Sequence, residues 1–207
     1  MTAVLSLACL LLLAVPPLAV AAEPLTFALD PAHTRVLFAI DHAGFSKALG
    51  TVSGSTGRVR FAPLDDGVDW TGAELDVRIP IERLDLGDPD WNRATLGRSF
   101  LDAARYPEAR FVSTTVEPHD ARTARVCGEL TLHGVTRPLC LDVVFNAYKR
   151  HPLPPFRRTA GFSATATLDR RDFGIDAWSS VIGHGVELRI EAEAVRDRAA
   201  DREGDTP

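Results

Sequence analysis

The chain has 207 residues, 45% of them hydrophobic, which is enough for one domain with an apolar core. Its formal net charge is -5. No stretch is strongly basic, which argues against a nucleic-acid partner.

In chain order, the first segment is MTAVLSLACLLLLAVPPLAVAA. An apolar run from Leu5 to Val15 precedes Pro16 and Pro17, and small residues at Ala19, Ala21 and Ala22 suit a cleavage site. Residues 1–22 therefore read as a signal peptide, although no Lys or Arg precedes the run. Cys9 lies within it. An exported protein in an extracytoplasmic, oxidising space is expected.

Period-two alternation then dominates. Val36, Phe38, Ile40 and His42 share one face of a strand. Ala73, Leu75, Val77 and Ile79 do the same, with Glu74, Asp76 and Arg78 on the other side. Near the C-terminus, Val186, Leu188, Ile190, Ala192 and Ala194 alternate with charged residues. Further strands are expected near 25–29, 47–61, 109–117, 123–133, 138–148 and within RTAGFSATATLDR. About eight or nine strands with short connections read as an antiparallel barrel or sandwich, and a closed barrel leaves no exposed edge. One insertion is helical: Asp88 can cap a helix with Pro89 at its first position, and Ser99 can cap a second short turn. The barrel domain is expected over 23–197, with 198–207 a disordered, charged tail.

GELTLHGVTRPLCLDVVF reads as a hairpin. With His133 opposite Thr136, Leu130 faces Leu139 and Val126 faces Val143; a register shifted by two also keeps the apolar face together. His133 is then an outward residue at a turn. In the first register Cys127 and Cys140 are diagonal, roughly 7–8 Å apart at Cβ, against the about 3.5–4.5 Å of a disulfide. Export favours a bond and this geometry opposes it, with two free thiols narrowly preferred.

There is no G-x-S-x-G, H-E-x-x-H, Gly-rich phosphate loop or C-x-x-C. The 6 histidines are scattered, with no pair at metal-ligand spacing. No metal and no catalytic set is expected.

Four stretches, in order, resemble one family. DPAHTRVLFAIDHAGFSKALGTVSG is similar to its opening strands, SFLDAARYPEARFVST to its helix-to-strand passage, and VCGELTLHGVTRPLCLDV to its G-x-L-T-x-H-G-V-T-K-P-V element. LDRRDFGIDAWSSVIGHGVELRIEAEA resembles its closing segment. The chain is thereby identified as similar to the YceI family of periplasmic, lipocalin-like proteins. It departs from the family where Ser55 and Thr56 follow Gly54 in place of a Phe, and where Ala94-Thr95-Leu96 replaces a His-Leu. The missing aromatic at Thr56 should widen or polarise the pore.

The resemblance implies an all-β, eight-stranded, antiparallel lipocalin-like barrel with a short helical cap. It implies a periplasmic carrier of a long-chain isoprenoid, quinone or similar amphiphilic lipid, compatible with a homodimer and without catalysis or cofactor. Expected wall residues are Val36, Phe38, Ile40, Leu75, Val77, Phe111, Phe145, Phe162, Phe173 and Trp178; any of them could instead be ordinary core. Expected mouth residues are His42, Ser46, Arg170 and Asp172. Two rivals are a lipid-modifying enzyme using His42 or Asp172 as acid or base, and an interaction protein with a filled barrel. A third rival, an outer-membrane barrel, is disfavoured by the charge-dense face of ELRIEAEA and by a charged tail where an amphipathic strand would be expected.

Overall fold

The computed structural model describes residues 22–203; the expected signal peptide falls almost wholly outside them. The strands are β1 (Leu25–Leu29), β2 (Arg35–His42), β3 (Ser46–Ser53), β4 (Thr56–Leu64), β5 (Gly67–Pro80), β6 (Leu84–Asp85), β7 (Glu108–Pro118), β8 (Thr123–Leu132), β9 (Val135–Arg150), β10 (Arg158–Asp169) and β11 (Ile182–Arg196). Helices are α1 (Pro89–Leu96) and α2 (Arg198–Glu203).

All the pairings are antiparallel, and β1-β4-β5-β7-β8-β9-β10-β11 closes into a ring through β1 against β11. The expected eight-stranded ring is therefore present. β2, β3 and β6 extend the wall beside β11. β11 is long enough to serve both: Ala194 pairs with Leu29 of β1, while Glu191 pairs with Arg35 of β2. The single strand expected over 47–61 is two, β3 and β4, divided at Gly54, whose φ of +79° breaks the run.

Charges look outward, with the exception of Arg170. Lys47–Glu187, Arg60–Glu74, Arg110–Asp76 and Arg125–Asp142 form ion pairs distributed around the barrel's outer face. Apolar residues turn inward and fill one end. There Phe27 stacks on Phe61 with centroids 4.4 Å apart, and Phe145 meets Phe162 edge-on at 5.6 Å. This is the end reached by the β4–β5, β7–β8 and β9–β10 connections.

The β8–β9 hairpin adopts the register shifted by two: Leu132 faces Val135, Gly128 faces Leu139 and Cys127 faces Cys140. His133 and Gly134 are the two central turn residues, both with positive φ (52° and 75°), the requirement of a tight type I′ hairpin. The two cysteines are consequently opposite and bonded, which corrects the expectation of free thiols. The diagonal separation belonged to the other register. Gly128 is needed by close approach: a Cβ there would lie 2.2 Å from the Val112 carbonyl oxygen of β7.

The helical insertion forms as read at its start. The Asp88 side chain accepts from the Asp90 and Trp91 amides, and Pro89 is the first helical residue. The second short turn expected at Ser99 is present as successive turns and not as a second helix. The segment expected to be a disordered tail carries α2, which Asp201 pins by accepting from the Thr26 amide at 2.8 Å and from Arg196 Nε at 3.2 Å.

Candidate functional site

The ring and the β2–β3–β6 extension together surround a cavity of about 610 Å³. Inward residues of β2 (Val36, Phe38, Ile40), β5 (Ala73, Leu75, Val77, Ile79) and β11 (Val186, Leu188, Ile190, Ala192) line it, because period two sends every second side chain to the same face. It runs from Phe61, Trp70 and Phe162 at the filled end toward His42, Trp91 and Trp178 at the other. Trp91 and Trp178 are 44% and 68% exposed while also lining the cavity, so they mark its mouth. The His42 and Trp91 rings lie 5.4 Å apart, which joins β2 to α1 at that rim.

Polar groups are few in this lining, and the buried ones are Thr34, Ser55 and Arg170. Arg170 opens a 3-10 turn (Arg170–Phe173) after β10 and is only 3% exposed. Its guanidinium donates from Nε to the Gly183 carbonyl (2.8 Å), from Nη1 to the Ile175 carbonyl (2.8 Å) and from Nη2 to the Ile182 carbonyl (3.0 Å). Burial pushes its pKa down, opposed by the charges of Asp176 and Asp169. The side chain thus ties together both ends of the 174–183 loop that carries Trp178. Thr34 directs its hydroxyl to the Glu193 carbonyl at 3.4 Å, whereas the Ser55 hydroxyl meets no partner.

The structure brings Val36, Phe38, Ile40, His42, Leu75, Val77, Phe111, Phe162, Arg170 and Trp178 to the cavity. It does not bring Phe145, Phe173, Ser46 or Asp172 there. Phe145 is a buried plug in the aromatic cluster at the filled end. Phe173 is buried in a second cluster with Phe111, Leu130 and Ile175. Ser46 and Asp172 are exposed, so of the two residues expected as acid or base only His42 reaches the cavity. Thr56 is exposed as well; the inward position beside it is Ser55, since one residue along a strand reverses the face.

Sequence reading missed Trp91, Ala94 and Thr95, which line the mouth from α1. Their i, i+3, i+4 spacing on a correctly capped helix was the available signal. Leu84, Leu86, Phe100 and Leu101 also line the cavity but come from short or irregular segments without a period. Among the described residues, no group of three or more His, Cys, Asp or Glu is arranged to hold a metal.

The family model for the YceI-like domain matches residues 27–194. A UPF0312 protein of Pseudomonas savastanoi pv. phaseolicola is 36% identical over 166 residues, covering 80% of this chain and 83% of that protein. Among solved structures, Burkholderia cenocepacia BcnA superposes with a TM-score of 0.68 at 21% identity, over 80% of this chain and 98% of that one. A polyisoprenoid binding domain from Saccharophagus degradans gives a TM-score of 0.59 at 15% identity, over 84% and 99% of the two chains.

Proposed function

The chain belongs to the YceI-like domain family, and from that premise we propose that it is an exported lipid-binding protein. Its ligand is a long-chain isoprenoid, quinone or similar amphiphile held unchanged in the barrel. The observation that carries this reading is the cavity of about 610 Å³ with an almost wholly apolar wall and one aromatic mouth. Its size falls in the range of roughly 300–1,000 Å³ usual for small-molecule sites. The Saccharophagus degradans neighbour, described as polyisoprenoid-binding, supports a chain-like ligand.

A tail in such a site is held by removal of its surface from water. Each buried CH₂ is worth about 0.8 kcal/mol, so one five-carbon isoprene unit offers roughly 3–4 kcal/mol. Affinity per atom falls as ligands grow. Tails of similar composition are therefore distinguished mainly by cavity length and by polar groups at the mouth. Ion pairs on the outer face and grease on the inner one suit a barrel standing in water, which supports a periplasmic carrier.

Mass spectrometry of an organic extract tests this. Protein purified from its native compartment should release a long-chain lipid, and a clean blank would overturn the reading. Incubation with a labelled prenol should return it chemically unchanged; a modified product would favour an enzyme.

A further inference from the structure

We propose that the mouth of the cavity is a docking surface for a lipid bilayer, seated by the apolar side chains of its rim. The inference rests on the lipid-binding reading above. Trp178 and Trp91 line the cavity and are also exposed. Beside them, outside the cavity, are Phe45 at 91% exposure and Val181 at 36%. Hydrogen bonds hold these positions together. The Ala43 amide donates to the Val181 carbonyl at 2.6 Å, and the Trp178 carbonyl accepts from the Val181 and Ile182 amides at 2.9 and 2.8 Å. The β2–β3 tip and the Trp178 turn are thus one rim.

The rim is continuous with the cavity wall, so apolar surface runs unbroken from the protein's exterior to its interior. A ligand that lives in membranes crosses such a path without exposure to water only if hydrocarbon meets the rim directly. Exposed Trp and Phe are the side chains that settle at a bilayer's interface. Near the rim, the basic residues Lys47, Arg93 and Arg171 are paired, with Glu187, Asp90 and Asp169 respectively. Among the described residues, no basic cluster stands free at the rim to draw anionic lipid, so docking is apolar and insensitive to salt.

The opposite end supplies a control. Leu153 and Phe156 are 64% and 49% exposed there, but the packed aromatic cluster separates them from the cavity mouth.

The test uses phosphatidylcholine vesicles, with and without brominated chains. Wild-type protein should sediment with them, its tryptophan emission should be quenched by the brominated lipid, and added salt should not release it. The pair Phe45→Ser and Val181→Ser should lower the bound fraction at least about ten-fold, whereas Leu153→Ser with Phe156→Ser should bind as wild type does. Both variants should still take up a fluorescent long-chain prenol offered in detergent. Normal uptake from detergent by wild type that does not bind vesicles overturns the docking proposal alone, as does equal loss in both variants or self-association through Phe45 with no affinity for vesicles. Failure of wild type to take up prenol from detergent overturns the lipid-binding reading beneath it.

Discussion

The His133 imidazole, at the tip of the β8–β9 hairpin, makes a hydrogen bond through Nδ1 to the Phe173 carbonyl at 3.0 Å. Tyr106 lies edge-on to the same ring with centroids 4.7 Å apart. This histidine is therefore a clamp: it fastens the hairpin to the turn that seats Phe173 in the core. His133→Ala should destabilise the fold by about 1–2 kcal/mol, read as a lower urea midpoint at unchanged slope. An unchanged midpoint would show the contact to be incidental.

The Cys127–Cys140 bond closes 13 residues of chain across directly paired strands. Replacing both cysteines with Ala should cost about 2–3 kcal/mol, mainly by freeing the unfolded chain. Denaturation of the oxidised wild type beside the double variant measures it. Full retention of stability would contradict this role.

Arg170 satisfies three carbonyl acceptors at once. Arg170→Met should leave them unpaired and cost about 3 kcal/mol or more. Arg170→Lys should rescue only part, because a single ammonium cannot span the guanidinium's fork. Limited proteolysis should cut the 174–183 loop faster in both variants, and cleavage at the wild-type rate would refute the tie.

Ala48 lines the cavity on the strand beside Phe38. Ala48→Phe adds a ring to open space without adding charge, so it should fold normally and lower the extracted lipid several-fold. Phe38→Asp should lower it further but risks the fold, since a buried charge is costly; circular dichroism separates the two causes. Undiminished lipid in folded Ala48→Phe protein would place the ligand elsewhere.

Asp169 caps the Arg170–Phe173 turn by accepting from the Arg171 amide at 2.9 Å. Its hydrogen bond to the Arg171 side chain, with help from that amide, holds its pKa at about 2 against an ordinary 3.8. A folded pKa below the unfolded one contributes stability that is complete above pH 3.8 and lost as pH falls toward 2. Asp169→Asn should thus melt below wild type at neutral pH, with the two melting curves converging as the pH approaches 2. A constant gap between them would assign the difference to something other than this titration.

Faces were legible in the amino-acid order because they follow from local geometry. A strand shows alternate residues to opposite sides whatever it pairs with, so the inward sets of β2, β5 and β11 could be named, and Asp88-Pro89 announced the start of α1. Depth and register are different quantities. They depend on which residues of distant strands come to lie opposite each other. Two registers of β8–β9 keep the same apolar face together, so the pattern could not choose between them; the His133-Gly134 turn chose, and the disulfide followed. Phe145 and Phe173 have the hydrophobicity of wall residues, yet packing against Phe61 and Ile175 removes them from the cavity. Arg170 became a loop fastener only when the chain returned its carbonyls from residues 175, 182 and 183. Side-chain orientation is a local property of the backbone, whereas closure of the barrel, its hollow and its mouth are sums over contacts between residues far apart in the chain.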